Sequence, residues 1–272
     1  MTIAPLQAAR AAGLTLLLAC TGAAAADTPT PGAGIRQLEA VAYSTGDGHP
    51  MYRESHWLFT DAQGPGRLVL YRCPDGRPFA RKLLHDDGSA QAPDFELVDG
   101  RTGYREGVRQ AAGGGRVVFV RKSAAAAERS APLDTTPLPV IDAGFDAYIR
   151  SRWDQLGQGD SDAVPFVIPS RLGTLTFSVK RIDDATVEGR PARQYRLSLD
   201  SWVGFALPHI DVAYDARSRA LLRFVGIANI HASDGDNVRA RITFDPMQER
   251  VATPAELAAA RQVPLDGRCP IP

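Results

Sequence analysis

Hydrophobic and polar residues alternate along most of the second half of the chain. Leu175, Phe177 and Val179 are separated by polar residues, and the run at 194–200 shows the same period of two. This alternation is typical of antiparallel strands with one covered and one solvent-facing side. We therefore predict strands here and in the later segments with the same pattern, which are 210–214, 220–230 and 238–244.

The first half of the chain alternates in the same way between short turns. Clusters of glycine, proline and aspartate separate the apolar runs, as is typical of hairpin connections. The predicted strands are 35–44, 51–60, 67–73, 78–84, 94–98 and 115–121. Residues 123–139 are rich in alanine, proline and threonine without periodicity, so we interpret them as a surface connection.

One amphipathic helix interrupts the strands. Apolar residues recur at helical spacing over 141–156, Asp142 is suited to be the N-cap, and Gly157 ends the helix. Thr253 and Pro254 begin a second, short helix near the end of the chain. We predict a mainly β fold with a few helices, in which a curved antiparallel sheet (an open or half β-barrel) is covered by the amphipathic helix.

The first 26 residues have the features of an export signal. Its apolar run is shorter than the roughly 20 residues that span a bilayer. Residues 17–20 form a lipobox, in which Cys20 would be lipidated, whereas residues 24–26 form an ordinary cleavage site. We favour the ordinary site, and both remain open. The predicted location is the periplasm, with an outer-membrane tether through Cys20 in the lipidated form.

Four segments follow from this organisation. Residues 1–26 are the predicted signal peptide, and residues 27–34 are a flexible leader rich in proline, threonine and glycine. Residues 35–250 are a single β-rich, half-barrel-like domain, and residues 251–272 are a C-terminal helix and tail.

Cysteines and charge narrow the chemistry. Removing or lipidating Cys20 leaves Cys73 and Cys269, an even pair in an oxidising compartment, for which we predict a disulfide. Basic and acidic residues number 31 each, so the formal net charge is zero. Without a positive field to attract phosphates, we expect no nucleic-acid partner.

Polar motifs give no clear catalytic or metal site. His49, Glu54 and His56 could supply metal ligands near one hairpin, but Glu54 and His56 share a strand face that we interpret as an ordinary exposed face. Asp234 and Asp236 resemble the start of a calcium loop, but its bidentate glutamate is absent. There is no GxSxG elbow for a nucleophilic serine. We predict no metal, no cofactor and no catalytic residue, and we favour a non-enzymatic function.

The order of these elements resembles the half-barrel fold of the bacterial lipoprotein-localisation carriers. The resemblance rests on the long antiparallel strands, the inserted helix, the export signal, and a Tyr-Asp turn before the Leu-Leu-Arg-Phe strand at 221–224. It implies a curved sheet and covering helices that enclose an apolar cavity. The stretch 144–172 also resembles a group of uncharacterised exported proteobacterial proteins, through Phe145-Asp146, Arg152-Trp153 and Pro169-Ser170-Arg171-Leu172. Neither resemblance assigns a functional residue.

Such a fold leaves a concave face that either the helix fills or an apolar ligand occupies. Aromatic residues on or beside the predicted strands are the candidates for ligand contacts: Trp57, Phe119, Phe177, Tyr195, Trp202, Phe205 and Phe224. The apolar run at 202–207 could be a buried plug, a lid or a membrane-facing loop, and we favour a plug.

We predict an exported binding protein that holds a lipid, an acyl chain or a lipidated partner in a half-barrel cavity. Two alternatives remain open: an envelope structural or assembly factor that acts through protein contacts, and a hydrolase of envelope polymers.

Overall fold

The computed structural model describes residues 1–2, 34–86, 88–201, 209–265 and 268–271. The described residues from Gly34 onwards belong to one compact unit, Pro31–Pro272. The predicted signal peptide with Cys20 lies outside the described residues except for its first two positions. Trp202 and Phe205, two of the predicted ligand contacts, lie outside them as well.

Strands and three helices make up the described part of the chain. The strands are β1 (Ile35–Ser44), β2 (Pro50–Asp61), β3 (Gly64–Arg72), β4 (Pro78–His85), β5 (Asp94–Asp99), β6 (Tyr104–Gln110), β7 (Arg116–Arg121), β8 (Arg129–Leu133), β9 (Ser161–Ile168), β10 (Gly173–Val187), β11 (Arg190–Leu199), β12 (Ile210–Asp215), β13 (Leu221–His231), β14 (Asn237–Phe244) and β15 (Arg250–Ala252). The helices are α1 (Gly144–Ser151), α2 (Trp153–Gly157) and α3 (Pro254–Gln262), and short 3-10 turns occupy Pro169–Arg171 and Pro246–Gln248.

All fifteen strands belong to one antiparallel sheet. Its order is β8-β7-β6-β5-β4-β3-β2-β1-β14-β13-β12-β11-β10-β9, with β15 beside β1. The two halves of the chain meet where β1 pairs with β14, and Ala40 lies opposite Phe244 there. The edges are β8 and β9, so the sheet is open. The predicted mainly β fold with an open antiparallel sheet is confirmed.

Most predicted strands are confirmed, and β1 begins and ends at the predicted residues. The sequence did not predict β6, β8, β9 or β15. The interpretation of 123–139 as a surface connection is wrong in part, because β8 lies within it and pairs with β7. Its residues lack alternation because three of the five are exposed and only Leu133 is buried.

The predicted helix begins later than expected and is divided in two. Asp142 is not the N-cap: its φ of 46° is left-handed, and Ala143 takes the cap position without a side-chain bond. The helix is interrupted at Arg152, which separates α1 from α2. No helix among the described residues has both the length and the apolar composition to cross a membrane.

Helices cover both faces of the sheet. On the face that we name the cavity face, Ile149 and Trp153 pack with Tyr195 and Tyr214. On the outer face, α3 packs through Leu257 against an apolar cluster that includes Trp57, Phe59, Leu68 and Leu70. The predicted N-terminus of α3 is confirmed, since Thr253 and Glu256 form a capping box. Helix α3 therefore covers the outer side of β2 and β3.

The predicted disulfide is present. Cys73 and Cys269 are joined with a Cα–Cα distance of 5.8 Å across 196 residues of sequence. The bond fixes the C-terminal tail to the end of β3, and Ile271 is fully buried in the main apolar cluster beside it. The tail therefore belongs to the fold.

Candidate functional site

A cavity of about 510 Å³ lies on the cavity face of the sheet. Strands β2–β6 line one side, strands β9–β14 line the other, and the start of α1 and the turn Pro169–Arg171 complete it. Helices α1 and α2 thus fill only part of the concave face. The volume is within the range of pockets for a single small ligand, which is about 300–1,000 Å³.

Residues 138–143, which we call the crossing segment, run over the cavity between β8 and α1. Val140 forms a parallel bridge with Phe166 on β9, with its N–H 2.8 Å from the Pro165 carbonyl. On the other side, the Gln91 side chain donates to the Leu138 carbonyl at 3.0 Å. The segment therefore joins β9, at one edge of the sheet, to the loop between β4 and β5.

One end of the cavity is aromatic. Five phenylalanines from α1, β9, β10, β13 and β14 line it, and each is only half-buried. They are Phe145, Phe166, Phe177, Phe224 and Phe244. The rings of Phe166 and Phe177 are 5.6 Å apart, and those of Phe145 and Phe224 are 6.2 Å apart. Part of the apolar surface of these five rings therefore faces the cavity and is not buried by packing.

The other end of the cavity is polar and lies on β2, β3, β4 and β6. Glu54 and His56 alternate with outward-facing residues on β2, and the Glu54 Oε2 to His56 Nε2 distance is 2.8 Å. On β6, the Tyr104 hydroxyl donates to Glu106 at 2.7 Å, and the Asn229 amide donates to the same carboxylate at 2.9 Å. All these carboxylates are buried in the fold.

Asp142 connects the crossing segment to this polar end. Its carboxylate is 2.8 Å from the ammonium of Lys82 on β4, and Asn229 donates to it at 3.2 Å. The side chains of Asp142 and Lys82 are 2% and 9% exposed, so the pair is shielded from solvent. Removing one partner of such a shielded pair would leave the other as an uncompensated buried charge, which destabilises the fold.

Burial changes the titration of this polar end. It lowers the pKa of His56, and the nearby Glu54 carboxylate only partly opposes the effect. It raises the pKa of Glu106, against the hydrogen bonds that Asn229 and Tyr104 donate. Burial also raises the pKa of Tyr52 and Tyr71 well above the ordinary tyrosine value, so both hydroxyls remain protonated.

The interpretation of Glu54 and His56 as members of an exposed strand face is wrong. They are 5% and 7% exposed and line the cavity with Tyr52. The residues of β2 alternate between two sides as predicted. The side with Glu54 and His56 faces inwards because α3 covers the side with Trp57 and Phe59. Among the described residues, no three histidine, cysteine, aspartate or glutamate side chains are grouped to hold a metal ion.

The predicted ligand contacts are distributed over several parts of the structure. Phe177 and Phe224 line the cavity. Tyr195 is on the cavity face but is covered by Trp153 of α2, at 5.6 Å between rings. Phe119 is buried on the outer face of β7, with the Arg109 guanidinium 4.1 Å above its ring. Trp57 borders a shallower groove of about 480 Å³ on the outer face of β1–β3.

Several cavity residues were not predicted as site residues. Phe145, Phe166 and Phe244 complete the aromatic end, and Lys82 and Glu106 belong to the polar end. The signal that could have found the polar end is a charged or polar residue at an inward position of a strand, as with Lys82 between Ala80 and Leu84. Only the structure shows that Lys82 at this position pairs with Asp142 on the crossing segment.

No family model matches the chain, and no curated protein matches its sequence. Among solved structures, it is similar to a β-barrel-like protein of the domain of unknown function DUF1849 from Brucella abortus. The identity is 7%, the match covers 81% of this chain and 98% of that chain, and the TM-score is 0.48. A domain named for outer membrane lipoprotein sorting from Vibrio parahaemolyticus matches at 11% identity, over 84% of this chain and 89% of that chain, with a TM-score of 0.27. Both TM-scores are below 0.5, so the function proposed next rests on the cavity and the sequence.

Proposed function

We propose that the protein binds a lipid, an acyl chain or a lipidated partner in the cavity between the sheet, α1 and the crossing segment. The observation that carries the proposal is the group of five half-buried phenylalanines at one end of a cavity of about 510 Å³. An apolar ligand would remove their remaining surface from water, at roughly 25 cal/mol for each Å² covered.

The cavity favours a ligand with one apolar and one polar end. The five half-buried phenylalanines are on β9, β10, β13, β14 and α1, while the buried charged residues Glu54, Lys82, Glu106 and Asp142 are on β2, β4, β6 and the crossing segment. A ligand that is apolar throughout would leave the polar end unmatched, and burying polar groups without partners is costly. An amphiphile matches both ends.

We place this activity in the periplasm or at the outer-membrane face. The export signal predicted at 1–26 supports that location. The disulfide between Cys73 and Cys269 also supports it, because such bonds persist in oxidising compartments. The tether through Cys20 stays part of the proposal as the lipidated form.

Displacement of an uncharged fluorophore tests the proposal. N-phenyl-1-naphthylamine is bound to the mature protein and titrated with dodecanol, an uncharged single-chain ligand. We expect enhanced fluorescence on binding and its loss on displacement. Phe177→Asp and Phe224→Asp each place a charge at the aromatic end and should abolish the signal.

Val251→Asp is the matched control. Val251 is 77% exposed on β15 and does not line the cavity, so the variant should bind like the parent protein. A parent protein that neither enhances the fluorescence nor responds to dodecanol contradicts the proposal. Unchanged binding by both phenylalanine variants, with folding verified by circular dichroism, contradicts it equally.

A further inference from the structure

Glu54 has a buried carboxylate of which only one oxygen is hydrogen-bonded within the described part of the chain. Its side chain is 7% exposed and lines the cavity. Oε2 is 2.8 Å from His56 Nε2, and among the described residues Oε1 has no hydrogen-bond partner. The residue directly opposite on β3 is Tyr71, which also lines the cavity and provides no cation.

His56 does not supply a compensating charge for Glu54. Burial lowers the pKa of the imidazole below its ordinary value of 6.5, so at neutral pH the ring donates a hydrogen bond without carrying a positive charge. The contact at 2.8 Å is therefore a hydrogen bond from a neutral donor. Such a bond satisfies one oxygen and leaves the charge of the carboxylate uncompensated.

Two of the described cations around the cavity are directed to other groups, and a third is exposed. Lys82 is 2.8 Å from Asp142 and lies on the far side of β3 from Glu54. Arg67 is 3.9 Å from Asp146. Arg171 is exposed on the turn Pro169–Arg171. No ion pair joins any of the three to Glu54 in the described part of the chain.

A buried carboxylate without a counter-ion is unfavourable, and a cation that enters with a ligand relieves the cost. An ammonium group has three donors, which suits a carboxylate oxygen without a partner. A ligand carboxylate beside Glu54 would place two like charges next to each other and would be repelled. A hydroxyl could donate to Glu54 but would not compensate its charge.

The polar and aromatic ends form one continuous surface. Glu54 is opposite Ala40 on β1, and Ala40 is opposite Phe244 on β14. Two strand spacings of about 4.8 Å therefore separate Glu54 from Phe244. Phe224, on β13, is opposite Ile242 of the same strand as Phe244. A single chain anchored near Glu54 can thus extend along these rings.

We propose that the ligand is a single-chain amphiphile whose protonated primary amine pairs with Glu54 and whose chain lies against Phe244 and Phe224. The inference rests on the proposed function and specifies the chemical class of its ligand. The amine and Glu54 form no covalent bond, so binding is reversible.

Three ligands with the same chain and different head groups test the inference. Dodecylamine, dodecanol and dodecanoate are compared at pH 7, each as a competitor of N-phenyl-1-naphthylamine. We expect dodecylamine to bind about tenfold tighter than dodecanol, and dodecanoate to bind most weakly. In Glu54→Gln, the advantage of dodecylamine over dodecanol should disappear.

Glu39→Gln is the matched control, because Glu39 is on the adjacent strand β1 but faces the outer groove. It should keep the preference for the amine. The inference is overturned if the parent protein binds dodecylamine no tighter than dodecanol, a ranking that needs no variant, or if Glu54→Gln keeps the preference. In both cases binding of dodecanol leaves the proposed function standing. If none of the three ligands binds, the proposed function fails and the inference fails with it.

Discussion

Asp142 and Lys82 form an ion pair that fastens the crossing segment to the polar end of the cavity. The Lys82 ammonium lies 2.8 Å from Oδ2 and 3.0 Å from Oδ1 of Asp142. Asp142 has a φ of 46°, a conformation that costs of order 1–3 kcal/mol in a residue other than glycine. The contacts with Lys82 and Asn229 hold the residue in that conformation and keep the segment over the cavity.

Lys82→Met should destabilise the protein by about 3–5 kcal/mol, because it leaves Asp142 as an uncompensated buried charge. Urea denaturation followed by circular dichroism measures the loss. Arg36→Met is the control: Arg36 pairs with Glu249 at the surface, where its side chain is 55% exposed, and the expected cost is below about 1 kcal/mol. Adding Asp142→Asn to Lys82→Met should recover part of the loss. Equal costs for Lys82→Met and Arg36→Met would contradict the assignment.

Gly144→Ala should be destabilising although alanine favours helices. Gly144 is the first residue of α1, and a Cβ there would be 2.0 Å from the carbonyl oxygen of Gln91. Relief of such overlap typically costs about 1–3 kcal/mol. The measurement is the free energy of unfolding, with Gly113→Ala as control because a Cβ at Gly113 meets nothing within 4 Å. A more stable Gly144→Ala protein would show that α1 is not held against that loop.

Replacing both disulfide cysteines, as Cys73→Ser with Cys269→Ser, should cost about 2–5 kcal/mol of stability. The bond closes a separation of 196 residues and holds the buried tail at Ile271. Thermal denaturation of the parent protein, with and without reductant, should reproduce the loss seen in the double variant. If the double variant has the same melting temperature as the oxidised parent protein, packing of Ile271 alone holds the tail.

Stability should fall as the pH decreases from 7 to 5. The folded-state pKa of His56 lies below its ordinary value of 6.5 because of burial. Between these two values the unfolded chain binds a proton that the folded chain excludes, so acidification favours unfolding. His56→Gln should therefore lose less stability over this range than the parent protein in urea titrations at each pH. His49→Gln, at an exposed turn, should behave like the parent. A steeper loss in His56→Gln would reverse the sign and contradict the pKa direction.

The strands were predictable where the sequence alternates over long runs. In β10 and β11, apolar residues repeat every second position over 175–179 and 195–199. β6 was missed because Gly107 and charged residues occupy it, and β8 because its five residues include Pro132. Such strands form because a neighbouring strand offers a free edge, which no local pattern records.

The aromatic end of the cavity was partly predictable, and the polar end was not. Phe177 and Phe224 were among the candidates because they are aromatic residues on predicted strands, and both line the cavity. Glu54 and His56 were interpreted as solvent-facing because charged residues usually are. Trp57 and Phe59 lie on the opposite side of β2, which α3 covers. Which side of β2 faces the cavity thus depends on a helix two hundred residues later in the chain.

The sequence by itself determined most of the antiparallel strands, the two helical regions and the pairing of Cys73 with Cys269, because periodicity, capping residues and cysteine number are local or countable properties. The tertiary structure alone decided that the polar side of β2 faces inwards, that Asp142 meets Lys82, and that α1 and α2 leave part of the concave face unfilled. Those outcomes depend on how curvature, covering helices and a crossing segment bring distant residues together, and distance in space is not recorded by the order of residues.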